Sequence, residues 1–393
     1  MNLRDIVLEP ADSEALRIDS VSLTHGAGRD TTRSASNLDR KDPLRILNLN
    51  TSPGFEDNDL WQSTSILISG LDPLWHERSL FGKAWKLVNV SRGFDVILFH
   101  LDLRLAALYG LLRVVVPLKQ CLVFESFLCD VSRYSSNYGS ITTTLRSKAS
   151  LLMHRLLVRT MNALFVHTRA EIDLYSKFFA VPRSRFVFVP YFHYGDALDY
   201  PSARGVTEEP DQERASILAI GRHRDFDCFI RALTGSPWNG LIVAGDSDRQ
   251  ELSGRTLPNI TIHYEVSRSE YRDYIANSTI VVIPLFADRW QRALGQIAMF
   301  EAMLMGKPVI GAQTFQLSDY ASDDEILFYR PGDACHLREQ ISRLLEDSDL
   351  RSRLTQNARR RTLTEFTRDK HIAGLVSSIA GVCDMAPPLQ ETE

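Results

Sequence analysis

Residues 288–311 read DRWQRALGQIAMFEAMLMGKPVIG and carry the most informative pattern in the chain. A loop leads through Gly295 into a short apolar segment, which predicts a buried helix. Gly306 and Pro308 end this helix, because glycine suits a helix C-cap and proline cannot continue the helix. The apolar run from Val309 then predicts a buried strand. Such an order of loop, helix and strand is typical of an α/β domain.

The start of this helix has the features of a phosphate site. Gly295 allows the backbone to approach a ligand closely, and the helix from Gln296 offers free N–H groups and a positive dipole end. Glu301 lies about two turns further on, where its carboxylate can accept hydrogen bonds from a vicinal diol such as ribose. The alternative interpretation is an ordinary helix–strand turn with a solvated Glu301.

The decamer EAMLMGKPVI, which starts at Glu301, resembles the donor-binding signature of the family 4 retaining glycosyltransferases of the GT-B fold. In that family the corresponding Glu binds the ribose of a nucleotide-sugar. The family usually has a second Glu eight residues earlier, where this chain has Ala293. The pair Gly295–Gln296 resembles a branch that has Gly-Gln where the common pattern is Gly-Phe-Gly. The resemblance implies recognition of ribose and phosphate, and it leaves the donor sugar open.

Composition narrows the class of protein. A length of 393 residues predicts two or three domains, and the net charge of −4 argues against a nucleic-acid partner. The five cysteines are scattered and show neither metal-ligand spacing nor a disulfide framework, which indicates a reducing compartment. Without an 18-residue apolar run or a secretory signal, the sequence predicts a cytoplasmic protein.

The first half of the chain predicts a Rossmann-like domain. Residues 1–42 are polar and aperiodic, as in a mobile leader, and the domain itself is assigned to 43–194. A strand over 45–50, a turn containing Gly54 and a helix over 58–69 open it. The resemblance makes Gly54 a donor-phosphate candidate, whereas the alternative interpretation is a simple turn residue.

Two polar residues follow buried strands of this domain. His100 ends the strand from Phe94, and Glu125 ends the strand from Cys121. Ligands of doubly wound sheets gather at the carboxyl ends of strands, so both are donor-binding candidates. The family often has a sugar-contacting His near the place of Glu125. A hydrogen-bonded structural histidine is the alternative for His100.

Residues 145–161 predict an amphipathic helix with a basic side formed by Lys148, Arg155 and Arg159. One interpretation is a helix packed on the sheet with a solvated basic face. The other is peripheral contact with an anionic inner membrane face that carries a lipid-linked acceptor.

The second half predicts another strand–loop–helix unit, after a linker at 195–214 and within a domain at 215–368. The loop after its first strand contains Gly221, Arg222 and Arg224 but no Gly-x-Gly-x-x-Gly pattern, which argues against a common dinucleotide site. Guanidinium groups bind phosphate oxygens bidentately, and the resemblance implies that the two arginines neutralise the leaving diphosphate.

The last segments complete the predicted architecture. By resemblance, the loop near Val266 borders the nucleobase through its backbone. An amphipathic helix at 369–383 returns to the first domain, as in other GT-B proteins, and 384–393 form a frayed tail.

These observations predict an α/β protein of the GT-B class, with two Rossmann-like domains facing each other across a cleft. The resemblance implies a metal-independent, retaining glycosyltransferase that uses a nucleotide-diphosphate sugar as donor and needs no cofactor. The acceptor is a sugar, a lipid-linked molecule or a small molecule, in polysaccharide or glycoconjugate biosynthesis. A catalytically inactive nucleotide-binding protein and a nucleotide-sugar epimerase are the alternatives. The candidate catalytic residues are Arg222, Arg224 and Glu301, and the donor-binding candidates are Gly54, His100, Glu125, Gly221, Val266, Gly295 and Gln296.

Overall fold

The structure is a computed structural model that describes most of the chain. The described residues are 44–49, 65–67, 78–100, 102–113, 115–135, 141–193, 215–254, 259–287 and 292–385. The predictions for the leader at 1–42, for Gly54, for the linker at 195–214 and for the tail beyond Met385 lie outside these residues.

Within the described residues, the first sheet has six parallel strands in the order β2-β1-β3-β4-β5-β6. Their bounds are Ile46–Asn48 (β1), Ser65–Leu67 (β2), Val96–His100 (β3), Cys121–Glu125 (β4), Ala163–Val166 (β5) and Phe186–Phe188 (β6). Most of these strands are continuous apolar runs, because a parallel sheet is covered on both faces. The helix predicted over 58–69 is wrong where it meets β2, since the apolar run there pairs with β1.

Helices cover one face of this sheet. Their bounds are Leu80–Ser91 (α1), Leu103–Leu112 (α2), Ser132–Ser135 (α3), Ile141–Thr160 (α4) and Arg169–Phe179 (α5). Thr168 caps α5 in a capping box with Glu171, as the sequence pattern of Thr and Glu three residues apart indicates. The core on this side of the sheet includes Leu47, Ile97, Leu122 and Leu164, all fully buried.

The second sheet also has six parallel strands, in the order β12-β11-β10-β7-β8-β9. Their bounds are Ser216–Ile220 (β7), Asn239–Ala244 (β8), Ile260–Tyr264 (β9), Ile280–Ile283 (β10), Val309–Ala312 (β11) and Leu327–Tyr329 (β12). The strand order reverses direction between β7 and β10. In doubly wound sheets the crevice at this switch point is where ligands bind.

Helices alternate with these strands in the second half of the chain. Their bounds are Phe226–Leu233 (α6), Arg249–Leu252 (α7), Arg268–Asn277 (α8), Gln296–Leu304 (α9), Phe315–Ser318 (α10), Ala334–Glu346 (α11), Ser348–Glu365 (α12) and Arg368–Met385 (α13). Two parallel α/β sheets with this topology confirm the predicted GT-B fold class.

The last helix, α13, packs on the face of the first sheet opposite to α1, α2, α4 and α5. Ile372, Leu375 and Ile379 have helical spacing, and all three are fully buried against side chains of β1, β3, β4 and β5. The second half of the chain therefore sends its terminal helix back across the first sheet.

The exposed side of α4 carries a basic row. Lys148, Leu152, Arg155 and Arg159 are exposed and recur at helical spacing. By helical spacing, Leu152 belongs to the apolar stripe of this amphipathic helix, which predicts burial. Its side chain is instead 59% exposed and lies among the basic residues. No helix among the described residues is long and apolar enough to cross a membrane.

Candidate active site

The loop after β7 places a buried guanidinium at the switch point of the second sheet. Gly221 has a φ of +118°, and a Cβ there would lie 2.4 Å from Nη2 of Arg224. The missing side chain thus lets the guanidinium lie against the backbone. Arg224 donates from Nε to the carbonyl of Ile220 at 3.2 Å and from Nη1 to that of Arg222 at 3.1 Å.

Arg224 is 4% exposed and forms no ion pair with a carboxylate in the described part of the chain. Burial lowers the pKa of Arg224 to about 10, although Tyr271 and Asp248 act in the opposite direction. The guanidinium therefore stays charged at neutral pH. Because an unpaired buried cation is unfavourable, this position gains stability when an anion binds next to it.

The start of α9 lies beside this guanidinium. Gly295 precedes the helix with a φ of +100°, and no side chain caps the helix start. The Gln296 side chain is buried and donates to the carbonyl of Gln316 at 2.6 Å, so it holds the helix start in position. The first N–H groups of α9 remain available to a ligand.

Arg224, Gly295 and Gln296 line one cavity of about 230 Å³. The remaining lining residues are Leu128, Tyr191, Tyr271, Arg292, Ala293, Leu294, Ile297 and Ala298. Leu128 and Tyr191 come from the first half of the chain and the others from the second, so the cavity lies between the two halves.

Glu301 is buried in α9 about one turn beyond the residues of this helix that line the cavity, and it is not itself a lining residue. Its Oε1 is 3.6 Å from Nη2 of Arg268, and its Oε2 is 3.8 Å from Nε of Arg272. Burial raises the pKa of Glu301, whereas the two arginines lower it. Oε2 is buried without a hydrogen-bond partner. The carboxylate thus keeps an unused acceptor, as a residue that binds hydroxyl groups requires.

Tyr271 is a cavity residue whose pKa depends on both Arg224 and Glu301. It lines the cavity, and its pKa is raised by burial, lowered by Arg224 and raised again by Glu301. The hydroxyl therefore lies within electrostatic range of both side chains. The sequence contains no motif that identifies Tyr271, because its position depends on how α8 packs against α9.

The catalytic candidate Arg222 and the donor-binding candidate Val266 lie outside this cavity. Arg222 is exposed and donates from Nη2 to Oε2 of Glu265 at 2.6 Å, and its aliphatic part covers Gly245. Val266 follows Glu265 and packs against the core of the second half. Neither residue lines the cavity, and their roles in donor binding stay predictions.

His100 and Glu125 belong to a buried polar cluster in the first half. His100 Nδ1 is 3.4 Å from Oε2 of Glu125, and His371 of α13 places Nε2 3.8 Å from Oε1. Burial opposes the charge of Glu125, but the hydrogen bonds from His100 and His371 outweigh it and lower the pKa to about 2. The cluster ties α13 to the end of β4, and its part in donor binding stays a prediction.

His167 lies next to this cluster. Its Nδ1 donates to the carbonyl of Val189 at 2.8 Å, so Nε2 accepts from the hydroxyl of Ser126 at 2.9 Å and the ring is neutral. Burial lowers its pKa to about 4. The ring stacks on that of Tyr191, with 3.8 Å between the centroids, and Tyr191 lines the cavity.

Acidification is expected to destabilise the fold through His167. Its neutral ring stabilises the fold fully above the ordinary pKa of 6.5, and this contribution is lost as the pH falls through about 4. This shift in the pKa of His167 corresponds to roughly 3 kcal/mol in the free energy of unfolding.

Denaturant unfolding near neutral pH and near pH 4 measures this loss of stability. His167→Gln should be less stable at neutral pH and should lose less on acidification, whereas His336→Gln should keep the full loss. An equal loss in both variants would contradict this explanation.

Contacts between the two halves fix one wall of the cavity. Oε1 of Glu171 accepts from the backbone N–H of Ala293 at 2.7 Å and from the hydroxyl of Tyr175 at 2.9 Å. Nearby, Arg169 pairs with Asp319 at 2.7 Å. The spacing of Thr168 and Glu171 predicts the capping role of Glu171. It does not predict the contact with Ala293, because Glu171 and Ala293 are 122 residues apart.

The described residues contain no group of three or more His, Cys, Asp or Glu side chains arranged to bind a metal ion. The cavity instead combines cationic side chains with free N–H groups, an arrangement that binds anions.

The comparisons agree with this fold. Residues 212–377 match the family model described as glycosyl transferase-like, and no curated protein matches the sequence. Sucrose-phosphate synthase from Thermosynechococcus elongatus superposes with a TM-score of 0.61 at 16% identity, over 77% of each chain. HepE from Anabaena in complex with UDP and glucose has a TM-score of 0.59 at 16% identity, over 85% of this chain and 100% of HepE. A glycosyltransferase from Rickettsia africae has a TM-score of 0.56 at 12% identity, over 87% and 98%.

The cavity residues from Arg224 to Ala298 fall inside the range that matches this family model, whereas Leu128 and Tyr191 lie outside it. The chain therefore has the GT-B fold, and its residues 212–377 match the glycosyl transferase-like family model.

Proposed function

We propose that this protein is a glycosyltransferase that moves a sugar from a nucleotide-diphosphate donor to an acceptor hydroxyl. The observation that carries the proposal is Arg224, a buried guanidinium without a carboxylate partner in the described residues, beside the uncapped start of α9. Both face one cavity at the switch point of the second sheet. A diphosphate supplies the charge that this cavity lacks. The structural neighbour HepE forms a complex with UDP-glucose, which supports the same donor class.

The rest of the donor is assigned from the surrounding residues. Glu301, with its unused acceptor on Oε2, binds the ribose hydroxyls. Leu128, Leu294 and Ile297 form an apolar part of the cavity wall, against which the donor packs. Arg224 and the N–H groups of α9 stabilise the negative charge that develops on the diphosphate.

Retention of configuration follows from the resemblance to family 4. The bond between the anomeric carbon and the diphosphate oxygen breaks, and the acceptor hydroxyl forms its bond on the face that the diphosphate leaves. The diphosphate takes the acceptor proton. Since no protein nucleophile is needed, the chain contributes positioning and electrostatic stabilisation.

A panel of nucleotide-sugars, with a range of simple sugar acceptors, tests the function. The expected result is release of a nucleoside diphosphate from at least one donor, and NMR of the product then determines the anomeric configuration. Binding of nucleotides without release would favour the second candidate, a non-catalytic nucleotide-binding protein. That candidate is motivated by Ala293, whose side chain has no polar group at a position where the family has a Glu. Absence of both binding and release would contradict both.

The basic row on α4 supports a lipid-linked acceptor at an anionic membrane. Lys148, Arg155 and Arg159 are exposed around Leu152, and each basic residue near such a surface contributes roughly 1 kcal/mol. We expect sedimentation with phosphatidylglycerol vesicles, weak sedimentation with phosphatidylcholine vesicles, and loss of binding when all three basic residues are changed to Glu. Equal binding to both kinds of vesicle would contradict membrane contact through this row.

A further inference from the structure

Two guanidiniums line the cavity, and one of them was not predicted from the sequence. Arg224 comes from the loop after β7, and Arg292 comes from the segment that leads into α9. Arg222, the second arginine that the sequence pattern indicates, pairs instead with Glu265 at 2.6 Å. The second cation of this cavity therefore comes from another element of the fold, the segment that contains Arg292.

Arg292 has the features of an anion ligand without its anion. Its Nε is shielded from solvent and has no hydrogen-bond partner. Within the described residues, no carboxylate forms an ion pair with its guanidinium. A buried donor without an acceptor is unfavourable, so the site gains stability when a ligand oxygen accepts from it.

His223 shows that both cavity arginines act on the same small region. Burial lowers the pKa of His223, Asp248 raises it, and the charges of Arg292 and then Arg224 lower it further. His223 belongs to the same loop as Arg224. The positive charge of Arg292 thus reaches the loop that holds Arg224, although the two residues come from different elements.

The backbone around Arg292 is held in place from the first half of the chain. The next N–H, that of Ala293, donates to Oε1 of Glu171 at 2.7 Å, and Gly295 then begins α9. Arg292 therefore adjoins a segment that is held by this contact and by the start of α9, which favours a defined ligand contact.

We propose that Arg292 and Arg224 together hold the diphosphate of the donor, with Arg292 as the second guanidinium in place of Arg222. This inference rests on the proposed function, since it assigns a residue to the diphosphate of that donor. Two like charges that share a cavity repel each other, and a diphosphate bound between them turns that repulsion into two charge-assisted contacts. Arg222 remains outside, with its charge balanced by Glu265.

Isothermal titration calorimetry with inorganic pyrophosphate, a nucleoside diphosphate and the nucleoside alone tests this assignment. Arg292→Ala is expected to weaken binding of pyrophosphate and of the diphosphate by roughly 10- to 100-fold and to leave nucleoside binding unchanged. Arg292→Lys should recover part of the loss, because lysine keeps the charge but not the fork of donors. Arg222→Ala should change binding by less than about threefold, as for an exposed ion pair.

Arg353→Ala is the matched control, since Arg353 is an exposed arginine of α12 far along the chain from the cavity residues. The inference is overturned if Arg292→Ala binds the diphosphate as tightly as Arg353→Ala does, or if Arg222→Ala loses as much affinity as Arg292→Ala. In both cases the parent protein still binds the nucleotide, and the proposed function stands. If the parent protein binds no nucleotide and releases none from any donor, the proposed function fails and this inference fails with it.

Discussion

Replacement of Arg224 by alanine is expected to lower kcat/KM for the nucleotide-sugar by about 100- to 1000-fold. The guanidinium is buried, carries its charge at neutral pH and lies beside the start of α9. In the proposed reaction it faces the oxygen atoms on which negative charge develops as the bond between the anomeric carbon and the diphosphate breaks. Steady-state kinetics with the donor found in the panel measures the loss.

Most of this loss should appear in kcat, because the diphosphate carries more charge in the transition state than in the bound donor. Arg224→Lys should remain well below the parent protein, since an ammonium group cannot make the two backbone hydrogen bonds of the guanidinium and also bind phosphate bidentately. Arg353→Ala provides the control for loss of one arginine charge. A kcat/KM of Arg224→Ala within threefold of that control, in a protein with unchanged far-UV circular dichroism, would remove Arg224 from the mechanism.

Glu301→Gln is expected to raise KM for the donor by roughly 10- to 100-fold, because the amide replaces a charged acceptor of ribose hydroxyl hydrogen bonds by a neutral group. Glutamine is chosen over alanine because it fills the same buried volume next to Arg268 and Arg272. The substitution removes a charge from a buried group, so thermal unfolding of the variant has to be measured alongside.

A donor that lacks both ribose hydroxyls separates a binding role from a structural one. The parent protein should lose about as much affinity for the 2′,3′-dideoxy analogue as Glu301→Gln loses for the normal donor, and the variant should lose little more with the analogue. If the two losses add fully, Glu301 does not contact the ribose, and its effect is exerted through Arg268 and Arg272.

The sequence predicts the sheets well because a parallel sheet buries both faces of its strands. Ile280–Ile283 and Val309–Ala312 are continuous apolar runs, and both are neighbouring strands of the second sheet. The error at Ser65–Leu67 has a different cause. This strand has only three residues, and it lies in a segment whose pattern predicts a helix. A strand this short is identified by its pairing with β1, and pairing is a property of the fold.

The site was predictable where it depends on local backbone geometry. Gly221 and Gly295 both have positive φ, and the residues near them, Arg224 and Gln296, line the cavity. Contacts between distant residues were not predictable. The pairing of Arg222 with Glu265 and the contact of Glu171 with Ala293 join residues 43 and 122 positions apart, and no local pattern encodes either.

Arg292 is a cavity residue whose role could not be predicted from the sequence. It lies in the most informative stretch of the sequence, but arginine in a loop is usually a solvated surface residue. Its importance follows from an enclosed Nε and from the cavity that it shares with Arg224. Leu152 is the opposite case, because its position in an apolar stripe predicted burial, while the orientation of α4 exposes it.

The location of a bound nucleotide tests the central claim most directly. In a crystal structure of the protein with the nucleoside diphosphate of its donor, we expect density for the diphosphate between Arg224 and the start of α9, with the ribose hydroxyls at Glu301. Density for the nucleotide on another surface, with this cavity occupied by solvent, would contradict the account.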